Sequence, residues 1–152
     1  VIAIDPGNEQ SAWVIYENGK VYGAAIELND DVLRRIECEW GTEQYVIEMI
    51  ASYGMPVGRE VFETCVWIGR FMEAAGGAEW VYRKDVKMHL CQSPRAKDAN
   101  IRQALIDRFG PGKDKAIGKK ASPGPLYGFK ADMWQALAVA VTYEEMERRS
   151  VA

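Results

Sequence analysis

Three acids stand where an acid is expensive. Asp5 ends the apolar run Val1-Ile2-Ala3-Ile4 and is followed by Pro6-Gly7, Glu48 closes the run Tyr45-Val46-Ile47, and Asp132 heads the apolar residues Met133, Trp134, Leu137 and Val141. Carboxylates at the carboxyl ends of apolar strands cost free energy unless something positive binds between them. No His or Cys cluster accompanies them, so the donor set is hard oxygen, which points to magnesium or manganese held by a few carboxylates, water and substrate phosphate. Singly, each acid has a plainer account: Asp-Pro-Gly as a turn, Glu48 as an edge residue, Asp132 as a helix N-terminal acid favoured by the macrodipole. Only the constellation is informative.

A second chemistry is electrostatic. The net charge of −3 conceals an asymmetry: residues 1–82 carry 5 Lys and Arg against 14 Asp and Glu, residues 83–130 carry 12 against 4, and residues 131–152 carry 2 against 4. A block of net +8 (12 against 4) is either a footprint for a polyanion or a solvated basic face, and the whole-chain pI of about 5.3 hides it.

These groups need elements to hold them. Val1–Asp5, Ala12–Glu17 and Lys20–Leu28 read as strands, with Asn18-Gly19 marking a tight hairpin turn. Asn29 reads as an N-cap before Asp30 and Asp31, with Val32, Leu33, Ile36 and Trp40 at helical spacing. Gln44–Met49 is a fourth strand, Gly58–Ala75 an amphipathic helix closed by Gly76-Gly77, and Glu79–Arg83 a fifth strand. Helices are expected around Val86–Cys91, over Ala99–Phe109 and from about Ala131 to Arg149, with a mobile basic loop at about 110–128. If the first and fourth strands are parallel neighbours, alternation brings Asp5 and Glu48 to one rim. The order of elements suits one α/β domain over residues 1–152, a mixed five-stranded sheet with helices on both faces.

Composition bounds the rest. At 48% hydrophobic and 27% charged the chain is ordinary globular protein, and its apolar runs fall short of the ~20 residues a membrane helix needs, so no membrane partner is expected. The opening VIAIDPG has neither a basic region nor a cleavage site, so no secretory signal is expected. Cys38, Cys65 and Cys91 form no CxxC pair and fit buried reduced thiols, which together with the missing signal suggests a soluble cytoplasmic protein.

The stretch IAIDPGNEQSAWVIY resembles the first motif of RuvC-like Holliday junction resolvases, YVIEMI resembles their second, and KADMWQALAVAVTY resembles their C-terminal acidic helix. The resemblance runs through the chain in order, and SYGMPVGREVF, DANIRQALIDRFG and SPGPLYG look most like members encoded by bacteriophages, which would place the protein in a bacterial host cell. It implies a ribonuclease H-like fold, a homodimer, branched or four-way DNA as substrate, no organic cofactor, and Asp5, Glu48 and Asp132 as catalytic ligands of divalent metal, Mg2+ or Mn2+, two per site. Cellular members carry a further acid or a His-Asp pair on the last helix, where this chain has Gln135. The second metal is then held by fewer protein charges or reaches Gln135 through water. An aromatic that cellular members place just after the second acid has its nearest counterpart here in the displaced Tyr53.

Two metals roughly 4 Å apart hydrolyse a phosphodiester with little from the protein beyond carboxylates. Since carboxylates repel DNA, a separate basic surface is needed. Arg83, Lys84, Lys87, Arg95, Lys97 and Arg102 are its candidates before the loop, Lys113, Lys115, Lys119 and Lys120 within it, and Lys130 beside Asp132. Tyr127 is the candidate for stacking on a base, whereas Trp13, Trp67, Trp80 and Trp134 read as core. His89 reads as a packing or surface residue, Asp98 as a helix cap, and Gly7 as room for a metal or phosphate to approach. The Gly58–Ala75 helix is either plain core or a dimer interface.

Competing readings remain within and outside the fold. An RNA–DNA hybrid nuclease of the same fold and a noncatalytic junction-binding module both fit, the latter suggested by Gln135. The actin-like ATPase and sugar kinase group shares an Asp-x-Gly strand but needs two such domains, which 152 residues cannot house.

Overall fold

The hairpin signal at Asn18-Gly19 is obeyed. A computed structural model describing residues Val1–Val151 joins β2 (Gln10–Glu17) to β3 (Lys20–Leu28) through these two residues at φ 50° and 80°, the paired positive values that a two-residue turn between twisted strands requires. β1 (Ile2–Asp5) lies antiparallel to β2, while β4 (Tyr45–Met49) is parallel both to β1 and to β5 (Glu79–Tyr82). The sheet order is β3-β2-β1-β4-β5, the expected mixed five-stranded sheet.

Alternation along β1 and β4 supplies two cores. Ile2, Ile4, Tyr45 and Ile47 face α1 (Asn29–Arg35) and α2 (Arg59–Ala75), where Val32, Ile68 and Phe71 are buried. Ala3 and Val46 face the other side, against α6 (Met133–Val151) with α3 (Arg83–Cys91) and α4 (Asp98–Phe109). Residues Ala136 to Val141 of α6 are all completely buried, and the alanines at 136, 138 and 140 let the helix settle between the sheet and its helical neighbours. α2 is amphipathic and ends, as the glycines foretell, with Gly76 at φ 73° donating its N–H to the Glu73 carbonyl while Gly77 donates to that of Met72.

Several expectations need correction. Asn29 does not cap α1; it is the helix's first residue, and its side chain is buried in the β1–β2 turn. The spacing of Ile36 and Trp40 belongs to a π-helical turn, Ile36–Trp40, which ends at Gly41 and sets Trp40 edge-on to Trp13 at 5.0 Å. Arg83 opens α3 rather than closing β5, because the chain turns helical directly after Tyr82. Asp132 precedes α6 instead of lying in its first turn: Ala131 adopts φ 46°, and the Asp132 carbonyl accepts the Ala136 N–H at 3.0 Å.

The Gly- and Lys-rich stretch, expected as a mobile loop, carries regular structure. It contains α5 (Lys113–Ala116) and a small hairpin of β6 (Gly118–Lys119) and β7 (Ser122–Pro123), stapled down by the fully buried Ala116 and Leu126. Leu126 donates its N–H to the Ala116 carbonyl at 2.8 Å. A Cβ on Gly124 would lie 2.3 Å from the Lys115 carbonyl oxygen, so the close crossing itself demands glycine. The three cysteines are free, but none is fully buried, and Cys38 is exposed on the π turn. Among the described residues no helix is long and apolar enough to cross a membrane.

Candidate active site

Register decides where the acids meet. β1 and β4 pair Ile2 with Tyr45, Ala3 with Val46 and Ile4 with Ile47, so continuing by one residue sets Asp5 beside Glu48. Both then point, like Ala3 and Val46, to the α6 side, where the exposed Asp132 immediately precedes that helix and the buried Gln135 lies in its first turn. Asp5 is half-buried and Glu48 buried.

This crowding shows in the titration of the acids. Burial above all, then the charges of Glu48 and Asp132, drive the Asp5 pKa from 3.8 to about 8; Arg83 opposes the shift and Asp98 adds to it. Burial likewise raises Glu48, resisted by hydrogen bonds from Gln135 and Arg83. The rim is therefore short of positive charge. The donor set is hard oxygen of the kind that suits magnesium or manganese. As placed, however, no three His, Cys, Asp or Glu side chains among the described residues converge into a metal cluster. Both oxygens of Glu48 already have partners: Gln135 Nε2 donates to Oε2 at 2.6 Å, and Arg83 Nη1 stands 3.5 Å from Oε1.

The Asp5 turn has its own brace. The Gly7 N–H donates to Ser11 Oγ at 3.1 Å, the Ser11 hydroxyl donates to Asn29 Oδ1 at 2.6 Å, and Asn29 Nδ2 donates to the Gly7 carbonyl at 2.8 Å. A closed ring of three bonds, buried at Ser11 and Asn29, holds the end of β1 still. Gly7 is glycine for a reason other than ligand approach: a Cβ there would lie 2.3 Å from the Gln10 carbonyl oxygen.

The bridge formed by Arg83 and Asp98 is not legible in the sequence. Arg83, read as a DNA contact, reaches into the rim, pairing with Glu48 on one side and Asp98 on the other. Asp98, read as a cap, is the first residue of α4; the helix start is satisfied instead by Asn100, whose Oδ1 accepts the Lys97 N–H at 2.9 Å. Two charges of opposite sign 15 residues apart carried the only signal, and nothing in local spacing favoured that pairing. Arg83, Asp98, Arg102, Asp132 and Gln135 line one cleft of about 430 Å³, with Arg102 over the Trp134 ring at 4.7 Å.

The remaining candidates fall outside this centre. Lys84, Arg95, Lys97, Lys113, Lys115, Lys119, Lys120 and Lys130 are exposed, Lys87 is half-buried, and Tyr127 is exposed as a stacking residue must be. His89 is a packing residue as read, tied to Glu145, which also accepts from Arg108 Nε at 3.0 Å. Of the tryptophans, Trp13 and Trp134 are core, but Trp80 on the edge strand β5 is 46% exposed, so its assignment to the core fails. Tyr53, at φ 50°, stands exposed in the loop after β4.

No protein-family model and no curated protein matches the chain. Solved structures do. Thermus thermophilus RuvC superposes with a TM-score of 0.68 at 14% identity, covering 99% of this chain and 97% of that one. The fold is RuvC-like. T. thermophilus RuvC in complex with Holliday junction substrate superposes at 0.67 and 16% identity, covering 98% of this chain and 94% of the other. At such identities the RuvC likeness establishes the path of the chain, and the chemistry must be argued from its own residues.

Proposed function

We propose that this RuvC-like chain is a divalent-metal-dependent, structure-selective endodeoxyribonuclease that hydrolyses phosphodiesters in four-way and branched DNA. What supports the reading is the strand register that sets Asp5 beside Glu48, with Asp132 among the charges that help burial lift Asp5 to about 8. A similar structure holds a Holliday junction substrate, which supports the substrate class. The reading implies action in the cytoplasm of a bacterial cell.

Asp5, Glu48 and Asp132 would hold two Mg2+ or Mn2+ ions, with Gln135 as a neutral further donor. Such ions supply activation of water and stabilisation of the leaving oxygen. The chain's own work is to hold the carboxylates. The Gly7–Ser11–Asn29 ring fixes the end of β1, while Arg83 and Gln135 occupy both oxygens of Glu48, so a cation entering there competes with those two partners. The basic residues of 83–130 grip backbone phosphates. Two symmetric cuts call for a homodimer, and the exposed Phe62 and Val66 of α2, with Tyr53 and Met55 in the preceding loop, supply the apolar surface for it. Light scattering should give the dimer mass, and Phe62→Asp with Val66→Asp should give the monomer.

The test is a synthetic four-way junction in magnesium beside a linear duplex and an RNA–DNA hybrid. Selective cutting of the junction is expected; cutting of the hybrid alone would move the assignment to a hybrid nuclease. A noncatalytic junction-binding module is the second reading, favoured by the neutral Gln135 amide against Glu48. Tight junction binding with no cutting in magnesium or manganese would establish it.

A further inference from the structure

α4 presents Asp98 and Arg102 to the same cleft, four residues apart on one helix face. On an isolated helix such a pair would satisfy each other. Here Asp98 is engaged by Arg83 from α3, and among the described residues Arg102 has no ion pair. Its guanidinium lies instead over Trp134, 4.7 Å from the ring centroid. Trp134 is a firm support: it is 8% exposed, belongs to the first turn of α6 two residues after Asp132, and meets Phe129 edge-on at 5.5 Å. Arginine resting on an aromatic face keeps a planar fork of N–H donors that matches the oxygens of a phosphate. The lysines at 113, 115, 119 and 120 have only exposed amines on flexible stems.

We propose that Arg102, seated on Trp134, grips a backbone phosphate of the strand entering this cleft and so sets the scissile phosphodiester in register with Asp5, Glu48 and Asp132. The proposal rests on the nuclease reading for its substrate, but its physical content is narrower. The cleft walls combine one unpaired cation, Arg102, with the acids Asp132 and Asp98, the latter paired with Arg83, which it shares with Glu48. An anion in the cleft therefore meets a donor held over Trp134 on the same walls as Asp132, one of the three acids. Since the grip is on phosphate, it carries no base preference.

Two measurements on the full chain test this, with Arg102→Ala and the conservative Arg102→Lys. The first is single-turnover cleavage of the junction in magnesium at saturating protein. Arg102→Ala should slow it by about tenfold to a hundredfold, the scale of a misplaced reacting group. The second is junction affinity against salt in EDTA, where Arg102→Ala should flatten the slope by about 0.9, the value for one phosphate no longer neutralised. Arg102→Lys should keep the slope and remain slow, because an ammonium lacks the planar fork.

A wild-type rate in Arg102→Ala at saturation, with or without a changed slope, overturns the positioning role, as does full rescue of the rate by lysine. If the wild-type chain binds the junction without cutting it, the nuclease reading falls while the salt slope still decides whether Arg102 holds a phosphate: a flattened slope in Arg102→Ala upholds it and an unchanged slope removes it. Absence of any branched-DNA binding by the wild type removes both.

Discussion

Asp5 and Glu48 project from two adjacent inner strands of the main sheet, whereas Lys119 and Lys120 ride on a two-stranded hairpin at the surface. In the acidic rim the backbone ladder and the Gly7–Ser11–Asn29 ring hold the bases of the side chains, and Gln135 and Arg83 hold the tip of Glu48. In the basic segment the backbone alone is anchored, through Ala116 and Leu126, and the lysine side chains stand in solvent. The contrast follows what each region has to do. Holding like charges beside one another needs rigid support, while neutralising a phosphate chain needs only charge within reach.

The sharpest way to break this comparison is to neutralise the rim. Asp5→Asn, Glu48→Gln and Asp132→Asn should each reduce cleavage by about a thousandfold or more, with junction affinity in EDTA retained. Full activity in any one of them removes that residue from the site. The complementary change, alanine at Lys113, Lys115, Lys119 and Lys120 together, should weaken junction binding and flatten its salt dependence by up to about 0.9 log units for each phosphate these lysines neutralise. The weakening should be nearly uniform across junction sequences. An unchanged slope would make this segment a solvated face and shift the footprint to Arg83–Arg102.

A smaller effect concerns stability. Because the folded chain holds the Asp5 proton up to about 8 and the ordinary value is 3.8, the folded state binds more protons in between. Stability from this group is therefore whole below 3.8 and lost as pH rises towards about 8. In EDTA at pH 9, Asp5→Asn should be more stable than wild type by at least about 1 kcal/mol, with the gap closing near pH 4. Thermal melts at both pH values decide it, and a wild-type stability flat across that range would contradict the crowding of the rim. Smallest of all, Tyr127→Ala should weaken binding of single-stranded DNA by about fivefold, roughly 1 kcal/mol of stacking; equal affinity would make Tyr127 a bystander.

Much of this architecture is legible without coordinates, and for a local reason. Asn18-Gly19 dictates its turn through two positive φ angles, the apolar stripe and terminal glycines of α2 dictate where it packs and stops, and the two-residue period of β1 and β4 dictates which face Asp5 and Glu48 share. Each signal lies within a few residues of what it determines. Asn29 and Asp98 mislead because their immediate neighbours look like helix starts, and capping chemistry is the local use of such side chains. Their actual partners, Ser11 and Gly7 for one and Arg83 for the other, are set by strand order and helix packing. The Gln135–Glu48 bond, 87 residues apart, belongs to the same class. The sequence alone thus determined which acids, bases and turns exist and which face of each element they occupy. Only the tertiary structure decided which of those charges neutralise one another and which stay free, because that depends on pairings closed between distant segments after the sheet has assembled.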